Sequence, residues 1–446
     1  MLKNKLEKGF FKKDSEQKVI SEKFDELSQR IGQSLERLDC LEDRIDILSK
    51  KLREYVSLEI ATLDPGSRVL IMGFYGARNI GDELMLRTLL DYYDEKNIEV
   101  TIMMSDNYVF DTSFYAPHQA IHYPRKPNDI ALISKKFDMV IWGGGAMLDD
   151  HDYYYNGDKT ILSYSLMAIS KAVIKHHGKV VVLGVSANEK IENKYFIEDL
   201  KYVINGAAHF SLRDTNSLET LKQAGIQEDK IEIVDDLALA QLKWLKEEKG
   251  SRKKKLIIGL VYILSEETFD ILSGYTKKMI EYLNKNLKDS VGVEIMMIPF
   301  YDYQNNDYRL FQRMKEELEE TKFNKKIVIK NNDNLNNSEE VINVLTSCDV
   351  VFAMRYHALL LASCAGVRTV SLDYSPKHRH YYNKIKYVKE CYSPEVINFS
   401  FGDSPEKFEK TIKSALSIDI NNQKKKEQAQ EIINRLHDLL ARVLVK

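Results

Sequence analysis

An arginine and a histidine two residues apart, Arg355 and His357, have the side chains needed to bind an anion and to protonate it. They follow the apolar residues 350–353 and precede the small, apolar residues 359–365, which predicts a strand that ends and a helix that begins at the pair. Because a helix start favours negative charge, the sequence predicts an anion site here. The same spacing is also typical of a surface ion pair or a structural histidine.

A glycine-rich segment far upstream, residues 73–83, has a similar place between two elements. The apolar residues 69–72 precede it, and a helical pattern follows from Leu84. Glycines let backbone N–H groups approach a ligand closely, although tight packing is the more frequent reason for such a turn. The spacing fits neither the G-x-G-x-x-G motif nor the P-loop, so neither site is predicted.

Together with three further segments, this pattern resembles the polysaccharide pyruvyl transferase family. The matching stretches, in order, are residues 73–83, the glycine run at 141–146, residues 211–217 with 221–225, and residues 354–377. The resemblance covers residues 67–395. Members of the family transfer the enolpyruvyl unit of phosphoenolpyruvate onto two hydroxyls of a sugar as a cyclic ketal, with loss of phosphate. The resemblance implies this activity on a cell-surface glycan or its precursor, and no cofactor is expected.

Phosphoenolpyruvate carries a carboxylate and a phosphate, so a site for it needs fixed cations. The planar guanidinium of arginine suits both groups. The donor-binding residues that the resemblance implies are Gly73, Asn79, Gly144, Gly145, Arg213, Arg355 and Lys377. A salt bridge to Asp214 is the alternative role for Arg213.

The reaction also requires proton transfer at the methylene carbon and at a sugar hydroxyl. His357 is the predicted general acid, because the anionic groups of the donor favour a protonated imidazole. Asp82 is predicted to activate or orient the hydroxyl, with Glu83 as the alternate, although an Asp near a helix start is equally typical of a cap. The acids at residues 149–152 and 235–236 are typical of solvated or capping groups, so no metal site is predicted.

Three positions depart from the family pattern. Residues 186–189 stand where the family tends to have a Gly-Pro ending, Arg368 replaces a usual proline, and residues 234–237 lack an expected Asp-Pro. These changes concern the choice of acceptor more than donor binding. Two other functions therefore stay open. One is a glycosyltransferase of the same architecture that uses a nucleotide sugar, and the other is a non-catalytic scaffold in which a coiled coil is the functional part.

The composition narrows the class of protein. A chain of 446 residues is too long for one ordinary core, which predicts two domains with extensions. A net charge of −2 gives no general attraction to nucleic acid, so no nucleic-acid partner is expected. The four scattered cysteines form no C-x-x-C pair, which leaves zinc and redox motifs without support. No signal-peptide pattern or membrane-spanning run is found, which predicts a cytoplasmic location.

Near the N-terminus, residues 17–58 have apolar side chains at alternating steps of four and three, the pattern of a coiled coil. Its g positions are basic, which favours a parallel homo-oligomer because an antiparallel pair would align like charges. A lone helix folded along its own domain is the alternative. Ahead of it, lysines alternate with Leu2, Leu6, Phe10 and Phe11, which is typical of a frayed basic terminus or of a weak peripheral contact with the inner face of a membrane.

Apolar strand-like runs alternate with amphipathic stretches on both sides of a charged stretch at residues 246–255. This alternation predicts an α/β fold with a parallel sheet in each half, and the resemblance implies two Rossmann-like domains that face each other across a cleft, the GT-B architecture. The predicted divisions are a basic segment at 1–16, a coiled-coil helix at 17–60, Rossmann-like domains at 67–246 and 253–395, and C-terminal helices at 396–446. Ligands bind beyond the carboxyl ends of strands in such sheets, so the separate motifs are expected at one cleft.

Overall fold

A computed structural model divides the chain into two compact units, Met1–Glu59 and Ile60–Lys446. The residues that it describes are 44, 47, 48, 50–104, 115–151, 153, 162–227, 229–246, 255–288, 291–301, 306–319, 326–329, 337–373, 379–400 and 403–444. Those of the first unit are helical and are called helix α1. The side chains of Ile47, Leu48, Tyr55 and Leu58 in it are more than half exposed. The rest of the predicted coiled coil and the basic segment lie outside the described residues.

The first sheet of the second unit has seven parallel strands in the order β3-β2-β1-β4-β5-β6-β7. These strands are β1 (Val69–Met72), β2 (Thr101–Met104), β3 (Gln119–His122), β4 (Met139–Leu148), β5 (Lys179–Ala187), β6 (His209–Leu212) and β7 (Ile231–Ile233). The helices of this half are α2 (Ile80–Asp94), α3 (Pro127–Lys136), α4 (Leu162–Lys175), α5 (Lys194–Gly206), α6 (Thr215–Gln223) and a 3-10 helix (Leu237–Trp244). All four residues of β1 are buried, as expected of a central parallel strand.

The second sheet has six parallel strands in the order β10-β9-β8-β11-β12-β13. These strands are β8 (Lys255–Val261), β9 (Gly292–Met297), β10 (Lys326–Ile329), β11 (Val350–Ala353), β12 (Arg368–Asp373) and β13 (Ile397–Ser400). Its helices are α7 (Glu266–Asn286), α8 (Asn306–Glu319), α9 (Ser338–Ser347), α10 (Tyr356–Cys364) and α11 (Arg379–Cys391), followed by α12 (Pro405–Ser417) and α13 (Asn422–Val443). Within the described part of the chain, no helix is both long and apolar enough to cross a membrane.

One continuous hydrophobic core connects the two sheets. It contains Ile71 of β1, Val351 of β11, Leu359 of α10, Leu237 of the 3-10 helix and Leu436 of α13. Helix α13 packs against the 3-10 helix of the first half and against α10 of the second. Burial of this apolar surface holds the carboxyl ends of the two sheets next to each other.

The prediction of two parallel α/β sheets is confirmed, and a strand forms at every strand-like apolar run of the two halves, including residues 69–72 and 350–353. Two further strands, β3 and β13, are found at edges of the two sheets. Each has only one fully buried residue among four, because an edge strand is covered less completely than a central one. Their sequences therefore lack the continuous apolar run of the central strands.

Candidate active site

A cavity of about 340 Å³ lies where the carboxyl ends of the two sheets meet. Its lining includes Asn79 and Asp82 after β1, Arg213 after β6, and Arg355 and His357 after β11. The structure thus brings together five of the residues that the sequence analysis selected as site residues. The volume falls within the range of about 300–1,000 Å³ that is typical of small-molecule sites.

Arg213 is almost completely buried at the wall of this cavity. Its Nη1 donates to Asp236 Oδ2 at 2.8 Å and its Nη2 to Ser186 Oγ at 2.9 Å. The guanidinium also lies 4.8 Å from the centre of the Tyr356 ring. Asp214, the partner considered from the sequence, instead caps helix α6. These contacts fix the Arg213 cation in one orientation.

The Asp236 carboxylate forms the centre of this cluster. Burial alone would raise its pKa, but His357 and Arg213 hold the pKa well below its usual range. Burial likewise opposes the charge of Arg213, yet the carboxylate beside it raises the pKa of the guanidinium. The other oxygen of Asp236 accepts from Ala238 N at 2.9 Å and caps the 3-10 helix. Asp236 and Arg213 therefore form a buried ion pair, and Ser186 and the Ala238 amide provide further hydrogen bonds to its two members.

His357 lies in the first turn of α10, next to this ion pair. Its Nε2 is 3.3 Å from Arg213 Nη1 and 3.5 Å from Asp236 Oδ2. Without a proton, Nε2 can accept from Arg213, and with a proton it can donate to Asp236, so both states of the imidazole have a partner. The ring lies against Gly81, where a Cβ would be 1.8 Å from Nδ1. Any larger residue at position 81 would displace the imidazole from the start of α2.

Asp82 is a buried carboxyl in the first turn of α2, facing the same cavity. Burial raises its pKa to about 6, and the charges of His357 and Arg213 only partly oppose this. Its side chain makes no hydrogen bond or ion pair with any described residue, and the N-cap position of α2 belongs to Asn79. Asp82 is thus a buried carboxyl with a pKa of about 6 and no hydrogen-bonding partner in the described part of the chain, which is typical of a proton-transferring group.

Glu83, the alternate to Asp82, has a different environment. Its carboxylate accepts from Gly76 N at 2.8 Å and from Tyr115 Oη at 2.9 Å. Burial raises the pKa of Glu83 to about 7, although both hydrogen bonds lower it. Because both of its oxygens hold neighbouring groups, Glu83 stabilises the glycine-rich loop, and Asp82 is the carboxyl that faces the cavity.

Arg355 is the second cation of the cavity and lies at the N-cap position of α10. Its Nη2 donates to Asp307 Oδ2 at 3.1 Å, and its guanidinium lies 5.0 Å from the centre of the Tyr301 ring. Burial raises the pKa of Asp307, and the nearby guanidinium opposes that rise. The side chain of Arg355 is 21% exposed, so solvent and ligands can reach it.

The three glycines of the predicted donor site are not among the residues that line the cavity. At Gly73 a Cβ would be 2.3 Å from the Tyr75 ring, and at Gly144 it would be 2.6 Å from Met85 Sδ. Gly145 has a φ of +94° and lies beside Asp82, whose Oδ1 would be 3.1 Å from a Cβ there. In this structure the glycines therefore serve close packing, and Gly145 makes room for the Asp82 carboxyl.

Three residues that hold the site were not predicted from the sequence, namely Asp236, Ser186 and Asp307. Asp236 carries a recognisable signal, because it follows β7 as Arg213 follows the neighbouring strand β6. Asp307 has no such signal. Lys377 lies outside the described residues. Among the residues with described positions, no group of three or more His, Cys, Asp and Glu side chains could hold a metal ion.

Comparisons with known proteins give the family and the fold of the chain. The sequence model of polysaccharide pyruvyl transferase matches residues 79–376, well over half of the chain. No curated protein matches the chain. Among solved structures, a proposed UDP-N-acetylglucosamine 2-epimerase from Listeria monocytogenes is similar with a TM-score of 0.50 and 14% identity, over 82% of this chain and 90% of that chain. The UDP-GlcNAc 2-epimerase from Methanocaldococcus jannaschii has a TM-score of 0.50 and 13% identity, over 79% and 94%. These similarities show the fold alone and confirm the prediction of a GT-B architecture.

Proposed function

Because this chain belongs to the polysaccharide pyruvyl transferase family, we propose that it transfers the enolpyruvyl unit of phosphoenolpyruvate onto two hydroxyls of a sugar as a cyclic ketal, with release of phosphate. The acceptor in this proposal is a sugar of a cell-surface glycan or of its precursor. The observation that carries the proposal is the convergence of Arg213, Arg355, His357 and Asp82 on one cavity. This set combines two permanent cations with two proton-transferring groups.

In the proposed reaction the two arginines bind the anionic groups of the donor. Arg213 comes from the first sheet and Arg355 from the second, so a donor between them contacts both halves of the molecule. Among the described residues Arg355 donates only through Nη2, to Asp307, which leaves Nη1 for an anion. A planar guanidinium can bind either a carboxylate or a phosphate through two parallel hydrogen bonds.

Proton transfer begins at His357, which gives a proton to the methylene carbon of the donor. That carbon becomes a methyl group, and the neighbouring carbon becomes an oxocarbenium-like centre. The Asp236 carboxylate, 3.5 Å from Nε2, stabilises the imidazolium before the transfer. A pKa of about 6 leaves Asp82 mostly ionised at neutral pH, so it can take the proton of the attacking sugar hydroxyl.

The second half of the reaction completes the ketal. The carbon–oxygen bond to phosphate breaks with both electrons on the phosphate oxygen, and the second hydroxyl adds to the same carbon. Of the two hydroxyl protons, one replaces the proton given up by His357 and the other leaves with the phosphate. The transfer therefore balances without an oxidant or a reductant.

Ligand-dependent thermal unfolding of the purified full chain tests the donor. Phosphoenolpyruvate should raise the unfolding temperature by an amount that grows with its concentration, and nucleotide sugars should not. Phosphate release that depends on an added sugar would then report turnover. A shift with a nucleotide sugar alone would favour the glycosyltransferase function, and no shift with either ligand would favour the non-catalytic scaffold.

We also propose that the chain works in the cytoplasm as a parallel homo-oligomer held by residues 17–58, with the basic segment 1–16 in weak contact with an anionic membrane. Leu48 and Tyr55 occupy seam positions of the heptad pattern, and both are more than half exposed, which supports an intermolecular role for this face. Deletion of residues 1–59 should lower the oligomeric mass measured by light scattering and keep the response to phosphoenolpyruvate. An unchanged mass, or a monomeric full chain, would contradict this arrangement.

A further inference from the structure

A buried acid outside the predicted set, Asp307, lies at the start of α8 and binds the cavity arginine together with two backbone segments. Its Oδ2 accepts from Arg355 Nη2 at 3.1 Å and from Tyr301 N at 3.2 Å. Its Oδ1 accepts from Leu264 N and from Arg355 Nη2, both at 3.4 Å. One carboxylate therefore connects the Arg355 cation with the chain after β8 and with the chain after β9.

Tyr301 is also the point at which the second half contacts the glycine-rich loop of the first half. Tyr301 and Asn79 form an isolated antiparallel bridge, and Ile80 N donates to Phe300 O at 3.1 Å. Asn79 lines the cavity, and Ile80 begins α2, the helix that carries Asp82. This backbone contact therefore sets the position of the proposed base relative to the second sheet.

We propose that Asp307 is a positioning residue that links the binding of an anion at Arg355 to this backbone contact across the cavity. An anion that binds Nη1 of Arg355 changes how the guanidinium is held. Among the described residues Asp307 is the carboxylate partner of that guanidinium, and the same carboxylate accepts from the Tyr301 amide. Occupancy at Arg355 thus changes the strength of the contact between Tyr301 and Asn79. The inference rests on the proposed function in that the anion is taken to be phosphoenolpyruvate.

The contacts of Asp307 exceed those of a backbone cap. To hold the two loop segments, Asp307 needs only to accept from the amides of Leu264 and Tyr301. Both of its carboxylate oxygens also accept from the Arg355 guanidinium. Arg355 in turn lies over the ring of Tyr301, so the cation touches the bridging residue directly and also through the carboxylate. Asp307, Arg355 and Tyr301 form a closed set of three mutual contacts, in which none can shift without an effect on the other two.

Amide hydrogen exchange at Ile80 measures this link directly, because the Ile80 N–H donates across the cavity. In the wild-type chain, saturating phosphoenolpyruvate should slow exchange at Ile80. Asp307→Asn keeps the shape and one acceptor but removes the charge, so Ile80 should exchange about ten-fold faster or more in the free protein, and the response to phosphoenolpyruvate should be lost. The donor KM should rise about ten-fold, with a smaller change in kcat.

Asp349→Asn is the matched control. Asp349 accepts from Ile257 N at 2.8 Å in the same sheet, at the opposite edge from the cavity. This variant should leave the exchange at Ile80 and the donor KM unchanged. If Asp307→Asn does not fold, Arg355→Lys gives a second route, because it keeps the backbone bonds of Asp307 and should still abolish the effect of phosphoenolpyruvate on Ile80.

The outcomes separate this inference from the proposed function. The link would be overturned if Ile80 of the free Asp307→Asn protein exchanged at the same rate as in the wild-type chain. It would also be overturned if the wild-type chain bound phosphoenolpyruvate with no change in the exchange rate of Ile80. A wild-type chain that does not bind phosphoenolpyruvate would count against the proposed function instead. In that case the exchange rates of Ile80 in ligand-free Asp307→Asn and ligand-free Asp349→Asn decide whether Asp307 holds the contact across the cavity.

Discussion

The two cations of the cavity differ in how firmly their surroundings hold them. Arg213 is 2% exposed, and its guanidinium contacts Asp236, Ser186 and Tyr356 at the same time. Arg355 has a side chain that is 21% exposed and is held by the longer contacts to Asp307. The first arginine is a fixed part of the core, and the second can adjust. A site that must orient a donor and later release phosphate has a use for both kinds of cation.

The largest expected difference concerns stability. Arg213→Met would leave the Asp236 carboxylate buried without its cation, and loss of one partner of a buried pair typically costs about 3–5 kcal/mol of unfolding free energy. Arg355→Met should cost about 1–2 kcal/mol, because Asp307 keeps its two backbone N–H donors. Urea unfolding at neutral pH measures both values. Equal losses in the two variants would remove the distinction between a fixed and an adjustable cation.

A second contrast separates chemistry from binding. His357→Gln should lower kcat by about a hundred- to ten-thousand-fold while the thermal shift with phosphoenolpyruvate remains, because the proposed role of His357 is proton transfer. Arg355→Lys should instead raise the donor KM about ten-fold with kcat largely kept, because lysine lacks the planar donor fork. His437→Gln, at an exposed position on α13, is the control and should change neither constant. Near-normal kcat in His357→Gln would contradict the mechanism.

Asp82 gives a contrast in pH dependence. Burial raises its pKa from 3.8 to about 6, so burial favours the protonated form of Asp82. The contribution of this form to the free energy of unfolding is fully present below about pH 3.8 and is lost as pH rises through about 6. Asp82→Asn should therefore stabilise the protein at pH 8 by up to about 3 kcal/mol, and the gain should vanish near pH 4. The same variant should lose turnover, and wild-type turnover should fall as pH drops through about 6.

Asp91→Asn is the control of opposite sign for the Asp82 experiment. Burial would raise the pKa of Asp91, but hydrogen bonds from Lys243 and Gln241 and the charge of Arg87 lower it. Its stabilising contribution is present above its unfolded pKa and is lost on acidification, so Asp91→Asn should destabilise the protein at neutral pH and less so in acid. If both variants shift stability in the same direction at pH 8, the environment assigned to Asp82 is wrong.

The sequence was sufficient for the central strands and for the polar residues at their ends. Arg213, Arg355 and His357 each follow a buried apolar run, and the parallel sheets bring such positions to one edge. Strands β3 and β13 were missed because their sequences, each with one buried residue in four, lack a continuous apolar run. The apolar pattern of a segment therefore predicts a strand that is buried on both faces. It does not identify a strand that is only partly buried.

The partners of the site residues were beyond the reach of the sequence for a different reason. Asp236 and Asp307 pair with arginines 23 and 48 residues away in the chain, and no local pattern records such a pairing. The glycines at 73, 144 and 145 were predicted to contact the donor, and the structure places them against Tyr75, Met85 and Asp82. A glycine in a loop indicates close approach, and only the tertiary structure shows what approaches it.

The smallest expected effect tests whether Arg213 can be made to resemble Arg355. Ser186, at a position where the chain departs from the family pattern, is fully buried and accepts from Arg213 Nη2. Ser186→Ala should cost about 1–2 kcal/mol of unfolding free energy and lower kcat only a few-fold, because Asp236 still holds Nη1.

Ser371→Ala is the matched control, since Ser371 is equally buried and its hydroxyl has no hydrogen-bond partner among the described residues. Removal of an unsatisfied buried hydroxyl should be neutral or slightly stabilising. If Ser186→Ala is as neutral as Ser371→Ala, the Ser186 hydroxyl does not hold the guanidinium, and the rigidity of Arg213 comes from Asp236 and Tyr356 alone. If it instead abolishes turnover, the orientation of Arg213 matters far more than its charge, and the contrast between the two cations is sharper than their burial indicates.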